Sequence, residues 1–276
     1  MTKIGTAVSI ILCWLWLALA AMPVDAQPSD TQRRWETLNT EIIQAYRSGD
    51  FAEGIGKAEQ ALALAHDAFG PRHPDTLQSM NNLAGLYASQ GRTSEAEPLL
   101  RETLQLFREE LGPRHPDTLT SLNSLAELYR SQGRTDEAEP LLRETLQLRR
   151  EVLGPRHPGT LQSINNLVAL YASQGRIGEA EPLLREALQL RREVLSSRHP
   201  DTLQSMTYLA LLYASQGRTE EAEPLLRETL QLRREVLGPR HPDTLQSINT
   251  LAFLYRSQGR HDEAEPLYRE ALETAR

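Results

Sequence analysis

The sequence predicts an all-α fold in which helix-turn-helix units of equal length stack into an α-solenoid. The tetrapeptide His-Pro-Asp-Thr begins at His73, His115, His199 and His241, and His-Pro-Gly-Thr begins at His157, always 42 residues apart. Self-similarity at such a period is typical of solenoids, whose units bury apolar surface against their neighbours. Apolar residues at helical spacing, and a composition rich in Leu, Ala, Arg, Glu and Gln, favour helices over strands.

Composition and charge exclude several kinds of function. The formal net charge is -7, from 37 Asp and Glu against 30 Lys and Arg, so nothing attracts the chain to nucleic acid. Cys13 is the only cysteine, which rules out an intramolecular disulfide, and the sequence holds no Cys/His cluster for a metal. We therefore expect no cofactor, no metal and no nucleic-acid partner.

Residues 1–26 have the pattern of a signal peptide. Lys3 precedes an apolar run over residues 4–22, and Val24 and Ala26 occupy the small-residue positions of a signal-peptidase site. Cleavage after Ala26 leaves residues 27–30 as a linker and predicts an exported protein, periplasmic or secreted, without membrane contact. The alternative is an anchor formed by an uncleaved N-terminal helix, because the run is nearly long enough to span a bilayer.

The rest of the chain divides into six units in one register. These are residues 31–72, 73–114, 115–156, 157–198, 199–240 and 241–276. The first unit is degenerate, and its Trp35 and polar Glu41 suggest an N-terminal cap. The last unit is shortened, and Leu267 and Leu272 on its second helix would otherwise be covered by a next repeat. We expect self-association or partner docking through this uncapped unit.

The first helix of each unit is predicted from its apolar spacing. In unit 73–114, Asp75 followed by Gln78 indicates an N-cap with a partial capping box, and the helix is expected to run from about Thr76 to Ser89. Its apolar face comprises Leu77, Met80, Leu83, Ala84 and Tyr87.

The second helix follows a short turn. Gly91 can take the left-handed conformation that closes the first helix, and Thr93 is expected to cap the second. Pro98 lies early in this helix, where proline costs little. Glu97 and Arg101 stand at i,i+4, and we expect this pair to be a solvated surface pair. The pair recurs as Glu139–Arg143, Glu181–Arg185, Glu223–Arg227 and Glu265–Arg269.

These segments resemble the tetratricopeptide repeats of kinesin light chains and a large bacterial group of similar 42-residue repeats. The resemblance rests on Asn-Asn-Leu-Ala-Gly-Leu-Tyr (81–87), Gln-Gly (90–91), Glu-Ala-Glu-Pro-Leu (95–99) and Leu-Gly-Pro-Arg-His-Pro (111–116), and covers residues 31–276. It implies a right-handed superhelix whose first helices line a concave groove that holds peptides. It does not imply motor association, because the coiled-coil segment of kinesin light chains is absent from the sequence.

The groove is expected along a second stripe of the first helices, away from the apolar face. An amide both donates and accepts, so asparagines at 81, 123, 165 and 249 can hold a peptide backbone. Arg130 and Arg256 can hold a carboxylate, and Leu211 and Phe253 offer an apolar pocket. Thr207 lies on the same stripe. The candidate peptide-binding residues are Gln78, Asn81, Asn123, Glu127, Arg130, Gln162, Asn165, Gln204, Leu211, Gln246, Asn249, Phe253 and Arg256.

Other interpretations of these residues stay open. The asparagines could simply hydrogen-bond the neighbouring helix, and drift could explain the residues that vary between units. The five register histidines are expected to hydrogen-bond in the turns between units rather than to bind metal. No metalloprotease, nucleophile-elbow or phosphate-loop motif is present, and Gly54-Ile55-Gly56-Lys57 lacks the flanking pattern of a nucleotide site.

The sequence therefore predicts a non-enzymatic, exported scaffold that binds a protein or peptide segment of unknown identity in its groove. One alternative is a structural module that self-assembles and leaves the groove unused. Another is a regulatory subunit of a separately encoded enzyme. A triple substitution of Asn123, Arg130 and Asn165 would distinguish the groove-binding scaffold from the self-assembling module. The scaffold would lose its partner and keep its assembly unchanged, whereas the module would show no change.

We expect the native protein, purified from cells, to begin at Gln27, because signal peptidase cleaves after a small residue at this distance from an apolar run. Intact-mass spectrometry measures this directly. A mass that starts at Met1 would contradict cleavage and favour the anchor.

Overall fold

The computed structural model describes residues 29–274, so the predicted signal peptide, half of the predicted linker and residues 275–276 lie outside the described residues. The described chain forms two compact bodies, which we call the N-terminal body (29–112) and the C-terminal body (113–274). Over these residues the secondary structure consists of twelve α-helices without strands. The predicted unit boundaries stay predictions.

Four helices form the N-terminal body and eight form the C-terminal body. The first four are α1 (Asp30–Ser48), α2 (Phe51–Phe69), α3 (Pro74–Ser89) and α4 (Thr93–Glu110). The others are α5 (Pro116–Ser131), α6 (Thr135–Leu153), α7 (Pro158–Ser173), α8 (Ile177–Leu195), α9 (Pro200–Ser215), α10 (Thr219–Leu237), α11 (Pro242–Ser257) and α12 (His261–Thr274). Within each body every helix packs on the next one in sequence, which confirms the all-α fold of stacked helix pairs.

Alanines at equivalent positions of the paired helices are fully buried. Ala84 of α3 and Ala96 of α4 are fully buried, as are their equivalents Ala126, Ala138, Ala210 and Ala222. A methyl side chain lets two backbones come close, and the longer apolar residues interlock around that contact. Leu77, Met80 and Phe107 form such a cluster between α3 and α4.

The first helices begin two residues earlier than predicted, and Asp75 is not the N-cap. The cap is His73, whose Nδ1 accepts a hydrogen bond from the Asp75 backbone N–H at 3.2 Å. Pro74 follows at the first helical position, where its fixed φ suits a helix and its missing N–H leaves no donor unpaired. His115, His157, His199 and His241 cap in the same way, which confirms their predicted hydrogen bonding in the turns.

Thr93 does not cap the second helix either. The cap position is Arg92, which makes no side-chain hydrogen bond to the helix backbone. Its guanidinium binds both carboxylate oxygens of Glu95 instead, at 2.7 and 2.6 Å. The turn before it behaves as predicted, because Gly91 adopts a left-handed φ of 75°.

The Glu–Arg pairs of the second helices are present. Glu265 and Arg269 are solvated as predicted, but the glutamates of the four earlier pairs are only 18–23 % exposed. The Glu139 side chain is 20 % exposed. Its Oε1 accepts a hydrogen bond from Arg143 at 2.9 Å and from the hydroxyl of Tyr171, in the next repeat, at 3.3 Å. Arg176 of that next repeat also binds Glu139 and lies over the Tyr171 ring, with its guanidinium carbon 4.4 Å from the centroid.

We call this arrangement the inter-repeat clamp: a glutamate and an arginine of one repeat with a tyrosine and an arginine of the next. It recurs in the C-terminal body as Glu223, Arg227, Tyr255 and Arg260. In the N-terminal body Tyr87 donates to Glu59 at 3.2 Å and Arg92 covers the Tyr87 ring. The clamp fixes how far one helix pair is rotated on the next, because its ring stacking and its hydrogen bonds must form together.

The clamp makes stability depend on pH. The hydrogen bond from Arg176, assisted by Arg143, lowers the pKa of Glu139 from 4.5 to about 2 against the opposing effect of burial. A depressed pKa means that the folded chain favours the charged carboxylate. The stabilisation is therefore complete above pH 4.5 and is lost as the pH falls toward 2.

We expect Glu139→Gln to lower the free energy of unfolding at pH 7 by about 1–3 kcal/mol, because two arginines lose a charged acceptor. Urea denaturation at pH 7, 4.5 and 3 measures the effect, and the gap to the wild type should narrow as the pH falls. Glu220→Gln, which changes an exposed carboxylate on α10, is the control and should shift stability little. An equal loss in both variants would contradict the clamp.

Ser196 is the one described non-glycine residue with a positive φ. It follows α8 at φ 77° and ψ 163°. Gly154 and Gly238 hold the same position after α6 and α10, at φ 84° and 85°. A side chain is strained in this region, which glycine occupies without a steric penalty.

We expect Ser196→Gly to raise the free energy of unfolding by about 1 kcal/mol, because the strain is removed. The reverse change at the equivalent position, Gly154→Ser, should lower it by a similar amount. Thermal or urea unfolding of the two variants gives both values. Destabilisation by Ser196→Gly would show that the serine side chain contributes more than the strain costs.

Candidate functional site

The predicted stripe remains accessible along the first helices. Within the described residues, none of the thirteen candidate side chains is buried. The residues on the apolar face of the same helices are buried. Gln162, Leu211, Gln246, Asn249, Phe253 and Arg256 are exposed, and the other seven are half-buried. Gln78 and Asn81 lie on α3 of the N-terminal body, and the remaining candidates lie on α5, α7, α9 and α11 of the C-terminal body.

Thr207 is an exception on the stripe. It is 3 % exposed, and its hydroxyl donates to the Leu203 carbonyl oxygen of the preceding turn at 3.0 Å. A threonine whose hydroxyl is satisfied within its own helix can be buried at little cost. Its neighbour Tyr208, which sequence analysis did not single out, is 46 % exposed.

Some of the stripe amides join neighbouring first helices. Asn123 Oδ1 accepts from Asn166 Nδ2 at 2.8 Å, and Asn166 Oδ1 accepts from Gln162 Nε2 at 3.0 Å. This amide chain links α7 to α5. Gln78, Asn82 and Asn39 form the same chain between α3 and α1, at 3.2 and 2.8 Å. At Asn123 the amide therefore serves packing, one of the two interpretations that the sequence left open.

Asn81 and Arg130 differ in what they offer a ligand. Asn81 Oδ1 is buried and accepts no hydrogen bond from the described residues. Arg130 Nε donates to Glu127 Oε2 at 2.7 Å, so these two candidates form an ion pair with each other. A carboxylate ligand would have to compete with Glu127 for this guanidinium.

An apolar cavity lies between α9 and α11. It has a volume of about 590 Å³ and is lined by Leu211, Pro242, Leu245, Gln246, Asn249, Thr250 and Phe253. The structure thus brings together Leu211 and Phe253, which the sequence predicted as a pocket, with two stripe amides at its edge. The Arg256 guanidinium lies over the Phe253 ring, 5.3 Å from its centroid.

The buried arginines behind the stripe were not predicted from the sequence. Arg191 on α8 is 6 % exposed and Arg233 on α10 is 2 % exposed. Arg149 on α6 holds the same register and is half-buried. Burial lowers the pKa of all three guanidiniums. Phe107 occupies this position in the preceding repeat, so aligning the units would have revealed arginine where a core residue is expected.

These arginines bind polar groups of the next first helix. Arg149 donates to the Gly159 carbonyl oxygen and to Ser163 Oγ, both at 2.9 Å. Arg233 donates to the Asp243 carbonyl oxygen at 3.0 Å and to Ser247 Oγ at 2.7 Å. Across the described ranges none of the three guanidiniums forms an ion pair with a carboxylate.

The described residues offer neither a metal site nor a membrane span. In this part of the chain no three His, Cys, Asp or Glu side chains are grouped so that they could hold a metal ion. None of the described helices combines the length and the hydropathy needed to cross a membrane.

Comparison with known proteins identifies the repeats. The sequence profile of the tetratricopeptide repeat family matches residues 37–109, 90–151, 117–193, 162–235 and 201–276. The curated proteins contain no match to the chain.

Solved structures give the same result. One from Podosopora anserina, described as a kinesin light chain with nearly identical TPR-like repeats, is 28 % identical, with 74 % of this chain and 96 % of that chain covered and a TM-score of 0.66. BtubC (BKLC) from P. vanneervenii is 24 % identical, with 86 % and 90 % covered and a TM-score of 0.65. A Rap protein complexed with competence and sporulation factor is 12 % identical, with 89 % and 77 % covered and a TM-score of 0.58.

The last two similarities concern the fold alone, at their low identities. The family profile is stronger evidence, because its overlapping matches run through residues 37–276. Proteins built from these repeats are generally non-catalytic scaffolds for interactions with other proteins. The chain belongs to the tetratricopeptide repeat family.

Proposed function

We propose that the protein is an exported, non-enzymatic scaffold that binds an extended protein or peptide segment along the first-helix stripe of its C-terminal body. The observation that carries this proposal is the accessibility of the stripe. The packing of the helices leaves six of its side chains on α7, α9 and α11 exposed, and these are amides, an arginine and large apolar groups: Gln162, Leu211, Gln246, Asn249, Phe253 and Arg256.

The stripe combines two kinds of contact that a peptide can use. Gln246 and Asn249 can hydrogen-bond to a peptide backbone whatever its sequence. The cavity beside them, about 590 Å³ in volume and widely open to solvent, can take a large apolar side chain. Leu211 and Phe253 are 44 % and 58 % exposed, and a docked side chain would cover them.

Export rests on the N-terminal pattern. The apolar run over residues 4–22 and the small residues Val24 and Ala26 support it. The partner would then be sought in the periplasm or at the cell surface.

The best test changes exposed stripe residues that carry no packing bonds, because Asn123 and Asn165 are themselves hydrogen-bonded within the fold. The stripe variant combines Leu211→Glu with Phe253→Glu. The matched control combines Val194→Glu with Val236→Glu, which makes the same chemical change at valines that are 45 % and 43 % exposed on second helices.

We expect wild type and control to capture the same proteins from the exported fraction, identified by mass spectrometry, and the stripe variant to lose them. Equal folding of all three is checked by circular dichroism. Equal capture by the stripe variant would contradict binding at this stripe. A wild type that only assembles with itself would favour the structural alternative.

A further inference from the structure

We propose that the C-terminal body has a hinge at the junction between α8 and α9, and that the Ser196-Ser197 turn releases it. The body contains three junctions of this kind, which we call first (α6–α7), middle (α8–α9) and last (α10–α11). Because the repeats are nearly identical, the first and last junctions show which contacts the middle one has lost. The inference goes beyond the proposed function, since it concerns a motion of the chain itself and requires no partner.

The turn of the middle junction differs from the other two in sequence. Ser196-Ser197 stands where the first junction has Gly154-Pro155 and the last has Gly238-Pro239. Ser196 carries a side chain at a φ of 77°, in a region that glycine occupies without strain. Proline fixes its own φ and restricts the residue before it, so a serine at 197 also gives the turn more conformational freedom.

A threonine hydroxyl that ties the other two turns to the next helix is unpaired at the middle junction. Thr160 Oγ1 donates to the Gly154 carbonyl oxygen at 2.8 Å, and Thr244 Oγ1 donates to the Gly238 carbonyl oxygen at 2.8 Å. The equivalent Thr202 Oγ1 is buried and has no partner among the described residues. An unpaired buried hydroxyl costs free energy, so a movement that brings water to it is favoured.

The inter-repeat clamp is incomplete at the middle junction. Tyr171 donates to Glu139 at 3.3 Å at the first junction, and Tyr255 donates to Glu223 at 3.2 Å at the last. The equivalent Tyr213 is covered by an arginine like the other two rings, but its hydroxyl bonds to none of the described residues. The ring stacking is therefore retained without the hydrogen bond that fixes its angle.

A buried arginine also makes one bond fewer at this junction. Arg149 donates to the Gly159 carbonyl oxygen at 2.9 Å, and Arg233 donates to the Asp243 carbonyl oxygen at 3.0 Å. These bonds join a second helix to the backbone of the first helix that follows it. Arg191 donates to a serine and an asparagine side chain and, within the described part of the chain, to no backbone carbonyl.

The ion pairs that remain at the middle junction are made by long side chains. Arg218 binds Glu181 at 2.6 Å, and Arg198 in the turn binds Glu235 of α10 at 2.8 Å. An arginine side chain has several rotatable bonds, so it can follow a change in angle while the ion pair stays intact. These pairs hold the two repeats together without fixing their relative rotation, which is the combination that a hinge needs.

A hinge at this place divides the first-helix stripe into two parts. Gln162 and Asn165 lie on α7, before the hinge, whereas Leu211 and Phe253 with their cavity lie on α9 and α11, after it. Rotation changes the distance between the two parts and leaves the cavity unaltered, because the last junction keeps its bonds. Such motions need only a few residues that absorb the change in backbone angles.

The test measures distances across each junction with pairs of spin labels on the full chain. Cys13→Ser first removes the only native cysteine. Two cysteines are then introduced at exposed, equivalent positions, one late in a second helix and one early in the next second helix. The pairs are Val152→Cys with Gly178→Cys, Val194→Cys with Glu220→Cys, and Val236→Cys with Asp262→Cys. Double electron–electron resonance gives the distribution of label distances for each pair.

We expect the middle pair to give a distance distribution about twice as wide as those of the first and last pairs, because the hydrogen bonds that fix orientation are absent there. The first and last pairs are the matched controls, since they carry the labels at the same positions of the repeat. Equal widths for the three pairs would overturn the inference.

A second set of variants tests the role of the turn. Ser196→Gly with Ser197→Pro gives the middle junction the turn of its neighbours and should narrow its distribution to theirs. The reverse exchange, Gly154→Ser with Pro155→Ser, should widen the distribution of the first pair. A middle distribution that stays wide after the first exchange, or a first one that stays narrow after the second, would contradict the assignment to the turn. Circular dichroism checks that every variant keeps its helices.

Discussion

A pair of helices in this chain cannot bury its apolar face by itself, and this constraint shapes the rest of the structure. Each first helix packs one face on its own partner and on the preceding repeat, so Leu, Ala and Tyr recur at fixed positions. Buried alanines such as Ala84 and Ala126 allow neighbouring backbones to come close. Several side chains beyond that face, among them Leu211, Gln246 and Phe253, stay exposed.

Hydrogen bonds between polar groups restrict the orientation of one helix pair relative to the next, which apolar packing alone does not determine. Apolar contact is nearly isotropic and tolerates a rotation of one helix pair on the next, whereas hydrogen bonds do not. The inter-repeat clamp around Glu139 and the amide chain from Gln162 to Asn123 join the same two repeats through separate sets of hydrogen bonds. Together they restrict rotation at this junction, so that the stripe residues of α5 and α7 keep a constant relation.

Periodic features could be predicted from the sequence, whereas contacts between repeats could not. The helices, the left-handed Gly91 and the hydrogen-bonding histidines follow from local patterns and were predicted. The caps at Asp75 and Thr93 were wrong because Pro74 starts the first helix earlier and Arg92 turns its side chain to Glu95. The bond between Tyr171 and Glu139 spans 32 residues, and no local pattern reports it.

The buried arginines show that the same position of the repeat can hold an apolar side chain in one unit and a charged one in another. Phe107, Arg191 and Arg233 occupy equivalent positions in different repeats. Phe107 places an aromatic ring in the core, whereas the two arginines place a charged side chain there. The stem of an arginine packs much like an apolar side chain, so the fold tolerates the exchange. The charged end still has to be satisfied, and serine hydroxyls and stripe amides satisfy it. Substitution inside the core thereby changes the hydrogen bonding of polar side chains on the neighbouring first helix.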